Sequence, residues 1–388
     1  MNQSRNDQNQ QDSSASSKPM ILDQLIQNGQ PIFGIFAQVK SINYLDYHSY
    51  LISQKSLSNW RKELKANQFC FIQIIQPPYR VCLAVATIKL ATSAFVYLYN
   101  DETGELEVCE ALQPLTRHTQ LQGDCYQGQM VFTHAKLTVT LDFMPAQVKV
   151  VLDSQYLALH ATLARQSQPL AICTPTGRRG WTFTQKEPLT AVSGHILVKG
   201  NSKFNADADA VGASDTQAQQ IDFTDTTIAN LDWTLGYMRH ETNWFWSCIN
   251  SYLPDRRHFA LNLAMGVNET GVSENACWLD GHIYYLPSVM FVRDGLNLPA
   301  NEQDDNAKTI DNTRQPWRIY HQNLGWSNVD IDLTFTPISV YKKTDNFGML
   351  ASIFEQWLGF YSGEIRIKDE VIKIDKVMGL AEDHFAKW

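Results

Sequence analysis

Residues 258–267 read HFALNLAMGV, with an apolar side chain at every second position. Successive side chains of an extended strand point to opposite sides, so five apolar residues would share one face here: Phe259, Leu261, Leu263, Met265 and Val267. Residues 136–143, KLTVTLDF, repeat the pattern in the first half of the chain. This alternation predicts half-buried β-strands in both halves and does not match the spacing of an amphipathic helix.

Short turn signals separate the predicted strands. Asp280-Gly281 lies between two apolar runs and is typical of a two-residue hairpin, and residues 101–104 and 175–177 are similar. Strands joined by so few residues must be antiparallel, because a parallel pair needs a crossover of a dozen or more residues. Three short helices are also predicted, at 21–27, 57–65 and 350–357. The sequence therefore predicts an all-β protein of antiparallel barrels or sandwiches with a few short helices.

Composition divides the chain of 388 residues into two folded halves. Residues 1–19 are almost entirely polar and predict a disordered tail. Residues 201–220 form a polar stretch near the middle, which we interpret as a linker or long loop, and residues 295–315 form a second such loop. The predicted domains are thus an N-terminal β-barrel over 20–200 and a C-terminal β-barrel over 221–388.

The overall composition excludes several classes of protein. The formal net charge of −8 argues against nucleic acid as a partner, because phosphate binding draws on clustered Lys and Arg. The seven cysteines include no C-x-x-C pair and are interpreted as reduced thiols of a cytoplasmic protein. No apolar run approaches the ~18 residues of a membrane-spanning helix, so no integral membrane association is expected.

The densest group of ionisable and aromatic residues is DWTLGYMRHETNWFW, at 232–246. In an extended strand Arg239, Glu241 and Asn243 would lie on one side, opposite His240, Trp244 and Trp246. Arg239 and Glu241 could form an acid/base pair beside tryptophan rings that contact an apolar ligand or a developing cation. A cross-strand ion pair next to a tryptophan-rich core explains the same pattern.

A second group lies at 261–278. Asn262 has apolar neighbours and must find hydrogen-bond partners if it is buried. Glu274 and Asn275 precede a predicted strand, a position from which side chains can reach a ligand, although ordinary turn polarity accounts for them equally well. Glu382 and His384 near the C-terminus would join this site if the terminus folds back.

Sequence motifs for other chemistry are missing. There is no H-x-H, H-E-x-x-H or paired-cysteine spacing, so no metal site is predicted. There is also no dinucleotide, P-loop or G-x-S-x-G motif, and no cofactor is expected. Lys186 and the pair Arg178-Arg179 are interpreted as surface charge.

The chain resembles the uncharacterised bacterial and fungal family called domain of unknown function 2804. The resemblance extends from about Gly29 to the end of the chain. It is carried by these segments: WTFTQK at 181–186, DWTLG at 232–236 with Arg239 and WFW at 244–246, LNL at 261–263 with Glu274-Asn275, and EDHFAKW at 382–388.

That family is distantly similar to the two-barrel calycin-type proteins, which include tocopherol cyclases and carotenoid 1,2-hydratases. The resemblance implies two lipocalin-like barrels in tandem. Enzymes of that type protonate an isoprenoid double bond, which requires a carboxylic acid kept protonated by burial and aromatic rings around the cation. The acids nearest to tryptophans in this sequence are Glu241, Glu274 and Asp232.

We therefore expect a hydrophobic small molecule, isoprenoid-like or lipid-like, to bind in a barrel pocket of the second half. The candidate catalytic residues are Asp232, Glu241 and Glu274. The candidate ligand-binding residues are Arg239, His240, Asn243, Trp244, Trp246, Asn262 and Asn275. An enzyme of this kind would be a hydratase or another lyase, or a cyclase. A passive carrier or sensor, and a carbohydrate-active protein, remain alternatives, and the sequence predicts no oligomeric state.

Overall fold

A computed structural model describes residues 19–49, 55–87, 91–116, 118–121, 123–177, 179–204, 218–267, 273–293, 315–321, 328–346, 348 and 350–387. Three large β-sheets make up most of it, which confirms the predicted all-β class. Nearly all of the predicted tail, and most of the polar stretches 201–220 and 295–315, lie outside the described residues.

The first sheet has nine strands. In spatial order they are β1 (Met20–Leu22), β4 (Gly34–Val39), β14 (Leu170–Thr176), β15 (Gly180–Leu189), β18 (Ile228–Tyr237), β5 (Asn67–Gln76), β6 (Tyr79–Thr87), β7 (Ala91–Asn100) and β8 (Leu106–Pro114). All neighbouring strands of this sheet pair antiparallel except β1 and β4, which are parallel.

The second sheet faces the first and has seven antiparallel strands. They are β17 (Gln219–Asp222), β16 (Ala191–Val198), β13 (Leu157–Ala164), β12 (Gln147–Ser154), β11 (Leu137–Phe143), β10 (Gly128–His134) and β9 (Thr119–Gln120). The predicted alternation of residues 136–143 is realised in β11, where Leu137, Val139, Leu141 and Phe143 are buried. These side chains form one apolar core together with side chains on the inward face of the first sheet, among them Trp181 and Trp233.

The third sheet contains nine strands from the last part of the chain. They are β22 (His282–Tyr285), β21 (Ala276–Leu279), β20 (His258–Met265), β19 (Glu241–Tyr252), β27 (Glu370–Lys387), β26 (Ala351–Ile367), β25 (Val329–Asn346), β24 (Trp317–Tyr320) and β23 (Met290–Arg293). The turn Asp280-Gly281 joins β21 and β22 as predicted, with positive φ at both residues.

The third sheet curls around its own core. In a flat sheet β19 and the edge strand β23, which lie five positions apart, would be separated by about 24 Å. Instead the rings of Phe245 on β19 and Phe291 on β23 stack at 5.7 Å. The enclosed space is filled by large side chains, including Trp317, Phe335, Trp357 and Tyr361. The interior of this half is thus a packed core, which differs from the ligand pocket expected there.

The division between the halves also differs from the predicted one. Residues 221–388 were assigned to the second half, yet β18 lies in the middle of the first sheet, between β15 and β5. Its Trp233 and Leu235 are buried in the core of the first half. The chain therefore leaves the first half at residues 238–240, between β18 and β19, because the apolar face of β18 is buried in the first half.

Three other small elements occur among the described residues. β2 (Ile26–Gln27) and β3 (Gln30–Pro31) form a hairpin, and a 3-10 turn covers Tyr44–Asp46. The one α-helix among these residues, α1 (Asn59–Lys65), agrees with the helix predicted at 57–65. The other two predicted helices are wrong, since β1 and β2 occupy most of 21–27 and β26 begins at Ala351.

The outward face of the first sheet packs against the outward face of the third. Phe71, Phe95 and Tyr97 from the first sheet meet Leu358 and Leu380 from the third in one apolar cluster. The Tyr97 hydroxyl donates a 2.6 Å hydrogen bond across this junction to Oε1 of Gln356. The two halves are thus joined by a buried interface.

Candidate functional site

The main cavity lies at the junction between the two halves. Its empty volume is about 1400 Å³, including the open mouth. One wall is lined by residues of β5, β6, β7, β15 and β18, and the other by residues of β19, β20, β25, β26 and β27. The apolar cluster around Phe71 and Leu358 lies in the same junction. Such a cleft between sheets is a usual place for a small-molecule site.

Strand register builds the wall on the first sheet. One row of directly paired residues runs Lys186, Asp232, Phe71, Ala84 and Phe95 across five strands. Residues paired in register point to the same face, so all five side chains lie on the outward face, and each lines the cavity. This wall is apolar and aromatic at one end and charged at the other.

The opposite wall has two rows on the third sheet. The first runs Ala264, Trp246, Glu382 and Gln356, and the second runs Trp244, His384, Phe354 and Lys343. Except for Gln356, all of these residues line the cavity. Glu382 and His384 belong to this wall because β27 is an inner strand of the sheet, so the C-terminal segment does fold back.

Lys186, Asp232 and Glu274, which we call the Lys186 cluster, are between 4% and 8% exposed. The Lys186 ammonium donates to Oδ2 of Asp232 and lies 3.2 Å from Oε2 of Glu274. Asp232 is also approached by the Thr184 hydroxyl, at 3.4 Å from Oδ1. The Trp246 ring centre is 5.7 Å from the ammonium, close enough for a cation–π contact.

The electrostatics of this cluster favour a charged lysine. Burial by itself lowers the pKa of Lys186, but the charges of Asp232 and Glu274 outweigh it and raise the pKa above its ordinary value. Lys186 therefore acts as a fixed cation and not as a nucleophile at neutral pH. One ammonium and two ionised carboxylates would leave one negative charge in a buried place, and a single added proton would neutralise it.

A second polar group, made of Glu382, His384 and Ser352, lies on the third-sheet wall. Trp244 Nε1 donates to Oε1 of Glu382 at 2.9 Å, and Gln356 Nε2 donates to Oε2 at 3.2 Å. His384 Nε2 lies 2.9 Å from the Ser352 hydroxyl, and Nδ1 lies 3.6 Å from Oε1 of Glu382. The His384 ring also contacts Trp244, with ring centres 4.2 Å apart.

Four of the residues predicted from the sequence meet at this cavity: Asp232, Glu274, Trp244 and Trp246. Asp232 reaches it from the first half and the other three from the second. Sequence reasoning missed Lys186, which we interpreted as surface charge. The available signal was its place in the strand at 180–189, on the same face as Thr182 and Thr184 and opposite the core residue Phe183.

Asn262 and Asn275 are buried behind the cavity wall and hold it in place. Asn262 accepts a 2.7 Å hydrogen bond from Trp246 Nε1 and donates to the Glu274 carbonyl oxygen at 2.6 Å. Asn275 accepts from the Ala264 N–H and donates to the Pro287 carbonyl oxygen. Both amides therefore position neighbours, and neither is among the residues that line the main cavity.

The structure does not bring Glu241, Arg239, His240 or Asn243 to the cavity lining. Glu241 is exposed and pairs with Lys387 at 2.9 Å, and the hydrogen bond from Lys387 lowers the pKa of this carboxyl below its usual value. His240 and Asn243 are exposed too, and Arg239 lies 3.4 Å from the Gly266 carbonyl oxygen. Arg239 and His240 precede β19, and Glu241 and Asn243 lie on the face of β19 opposite Trp244 and Trp246. The predicted Arg239/Glu241 pair is therefore not part of this site.

Within the described part of the chain, no group of three or more His, Cys, Asp or Glu side chains is arranged to hold a metal ion. No helix in the same ranges is long and apolar enough to cross a bilayer.

The family profile with the description domain of unknown function (DUF2804) matches residues 43–388, so the chain belongs to this family, as its residues had indicated. No curated protein matches the chain in a sequence search.

Solved structures of similar fold exist. The crystal structure of CghA with Sch210972 superposes with a TM-score of 0.51 at 10% identity, covering 95% of this chain and 97% of that chain. A second crystal structure of CghA gives 0.50 at 12% identity with the same coverage. Kievitone hydratase from Nectria haematococca gives 0.46 at 9% identity, over 83% of this chain and 88% of that one. At these identities the likeness to CghA shows a common fold.

Proposed function

We propose that this DUF2804 protein binds an apolar, unsaturated small molecule in the cavity between its two halves and protonates it from the Lys186 cluster. The observation that carries the proposal is the pair of buried carboxylates around one ammonium, set in a cavity with many aromatic and small apolar side chains. The reaction class is hydration or cyclisation of an isoprenoid-like or lipid-like compound.

The charge of the Lys186 cluster supports its role as an acid. An uncompensated negative charge is costly in a buried site, and one ammonium balances only one of the two carboxylates, so one proton on the cluster would neutralise it. Glu274 is the proposed donor, because its contact with Lys186 is longer than that of Asp232. A neutral carboxyl group held in this way can donate a proton to a double bond.

The aromatic residues beside the cluster suit the intermediate of such a reaction. Trp246 and Phe71, whose rings are 5.7 Å apart, both lie next to Lys186 and Asp232 in the cavity wall. Ring faces stabilise a cation that forms near them in a site shielded from water. CghA, whose fold this chain shares, has been crystallised with the compound Sch210972, which supports a small-molecule ligand here as well.

Binding can be tested with the apolar dye 1-anilinonaphthalene-8-sulfonate. Ala86→Phe would fill the cavity, since Ala86 lines it next to Phe69 and Ser93, and should weaken dye binding about tenfold or more, a loss of about 1.4 kcal/mol. Thr138→Phe, on the exposed side of β11, is the matched control and should bind as the parent does. Equal binding by all three proteins would exclude this cavity as the ligand site.

Catalysis can be tested with the compounds that remain bound to the protein during purification. The full chain is purified, its bound compounds are measured by native mass spectrometry, and the organic extract is returned to fresh protein. Glu274→Gln should keep the compound and slow its conversion by about 10²–10⁴-fold. If the compound is recovered unchanged from the parent protein as well, the protein is a carrier and the acid chemistry is wrong.

A further inference from the structure

In the second polar group of the cavity, Ser352, His384 and Glu382 are arranged like a nucleophile, a base and an acid that orients the base. Ser352 Oγ is 2.9 Å from His384 Nε2, within the range of a serine activated by an imidazole. On the other side of the ring, His384 Nδ1 faces Oε1 of Glu382 at 3.6 Å and has no hydrogen-bond partner among the described residues. A small rotation that shortened this distance by about 0.5 Å would make it a hydrogen bond.

The register of two strands produces this order. His384 is paired directly with Phe354 across β26 and β27, so Ser352 is its diagonal neighbour on the same face. Glu382 lies two residues before His384 on β27 and therefore points to the same side. All three side chains line the cavity, so a ligand bound there can reach the serine hydroxyl.

We propose that Ser352, His384 and Glu382 give the cavity an acyl-transfer activity toward esters with an apolar acyl chain. Ser352 Oγ forms a bond to the carbonyl carbon while His384 Nε2 takes the hydroxyl proton. The ester C–O bond then breaks, and the alcohol leaves with that proton. A water molecule then gives a proton to His384 Nε2 and attacks the carbonyl carbon of the acyl-serine. The acyl C–O bond to Ser352 breaks, the carboxylic acid leaves, and Ser352 Oγ regains its proton from His384.

A cation for the developing oxyanion is present on the same wall. Lys343, on β25, is paired with Phe354 of β26 and lines the cavity. Its Nζ lies 3.3 Å from Ser93 Oγ, 3.5 Å from Asp345 Oδ2 and 4.0 Å from Glu110 Oε2. Asp345 is the direct partner of Ser352, so Lys343 lies on β25, the strand next to the one that carries the proposed nucleophile. A positive charge in this position favours negative charge on the attacked carbonyl oxygen. This activity goes beyond the acid chemistry of the Lys186 cluster and shares only the cavity with it.

A dodecyl fluorophosphonate ester tests the proposal on the full chain. The Ser352 Oγ–P bond forms, the P–F bond breaks, and the hydroxyl proton leaves through His384. One adduct per chain is expected, mapped to Ser352 by tandem mass spectrometry.

Variants distinguish a serine that His384 activates from a serine that is only accessible to the reagent. Ser352→Ala should remove the adduct, and His384→Gln should slow labelling about 100-fold. Ser362→Ala is the matched control on β26, since its hydroxyl accepts from the Lys376 N–H away from the cavity, and should label as the parent does. Absence of an adduct on Ser352 in the parent chain, or a rate that His384→Gln leaves unchanged, would overturn the proposal. Neither result would bear on proton donation by Glu274.

Discussion

The ammonium of Lys186, in the first sheet, lies 3.2 Å from Oε2 of Glu274, in the segment that precedes β21 of the third sheet. Both side chains are buried, and the contact crosses the junction between the two halves. The same residues line the cavity. Stability of the junction and the proposed chemistry of the site would therefore both depend on this ion pair.

Replacing Lys186 with Met should destabilise the protein by about 3–5 kcal/mol at neutral pH, because the buried negative charge of the cluster loses its cation. Urea unfolding at neutral pH measures it. Lys186→Met combined with Asp232→Asn should recover part of the loss; if the double variant were less stable than Lys186→Met alone, the charge argument would fail.

His258 should make the protein less stable in acid. The residue is buried, and desolvation lowers its pKa from 6.5 to about 4. Between these values the unfolded chain binds a proton that the folded chain does not, so stability is complete above about pH 6.5 and falls as the pH is lowered toward 4, by about 3 kcal/mol.

The measurement for His258 is the free energy of unfolding at several pH values. His258→Gln should flatten this dependence while keeping a donor near Oδ1 of Asn250, its 2.6 Å partner. His282→Gln, at an exposed position, is the control and should leave the pH dependence as it is. A parent curve that is flat from pH 6.5 to 4 would contradict the prediction.

Tyr97→Phe should weaken the junction. The variant leaves Oε1 of Gln356 without its 2.6 Å donor in a buried place, at an expected cost of about 1–3 kcal/mol. Gln356 also donates to Glu382, so His384 and Glu382 become less well positioned and labelling of Ser352 should slow. Tyr252→Phe, at an exposed ring, should change neither the unfolding midpoint nor the labelling rate.

Glu241→Gln should have no measurable effect on dye binding or on the unfolding midpoint. The carboxylate is exposed, and its pairing with Lys387 is screened by water and salt. Thermal unfolding and dye titration at 0.15 M salt check this. A loss of dye binding comparable with that of Ala86→Phe would contradict the conclusion that Glu241 lies outside the site.

Local patterns of residues determined a good part of this protein in advance. Alternation at 136–143 and 258–267 indicated strands, and Asp280-Gly281 indicated a hairpin, because both signals depend on neighbours along the chain. The tryptophans at 244 and 246 were identified in a segment dense in ionisable and aromatic residues, and the acids at 232 and 274 because they are among the acids nearest to tryptophans in the sequence.

Only the tertiary structure decided where these residues meet. β18 follows the polar stretch in the chain but pairs with β15 and β5, so Asp232 lies beside Lys186 and across the junction from Glu274. Strand pairing between distant segments depends on which apolar faces pack together, and periodicity within one segment does not contain that information. For the same reason the cavity lies between the halves and not inside the second one, where Trp317 and Trp357 fill the space.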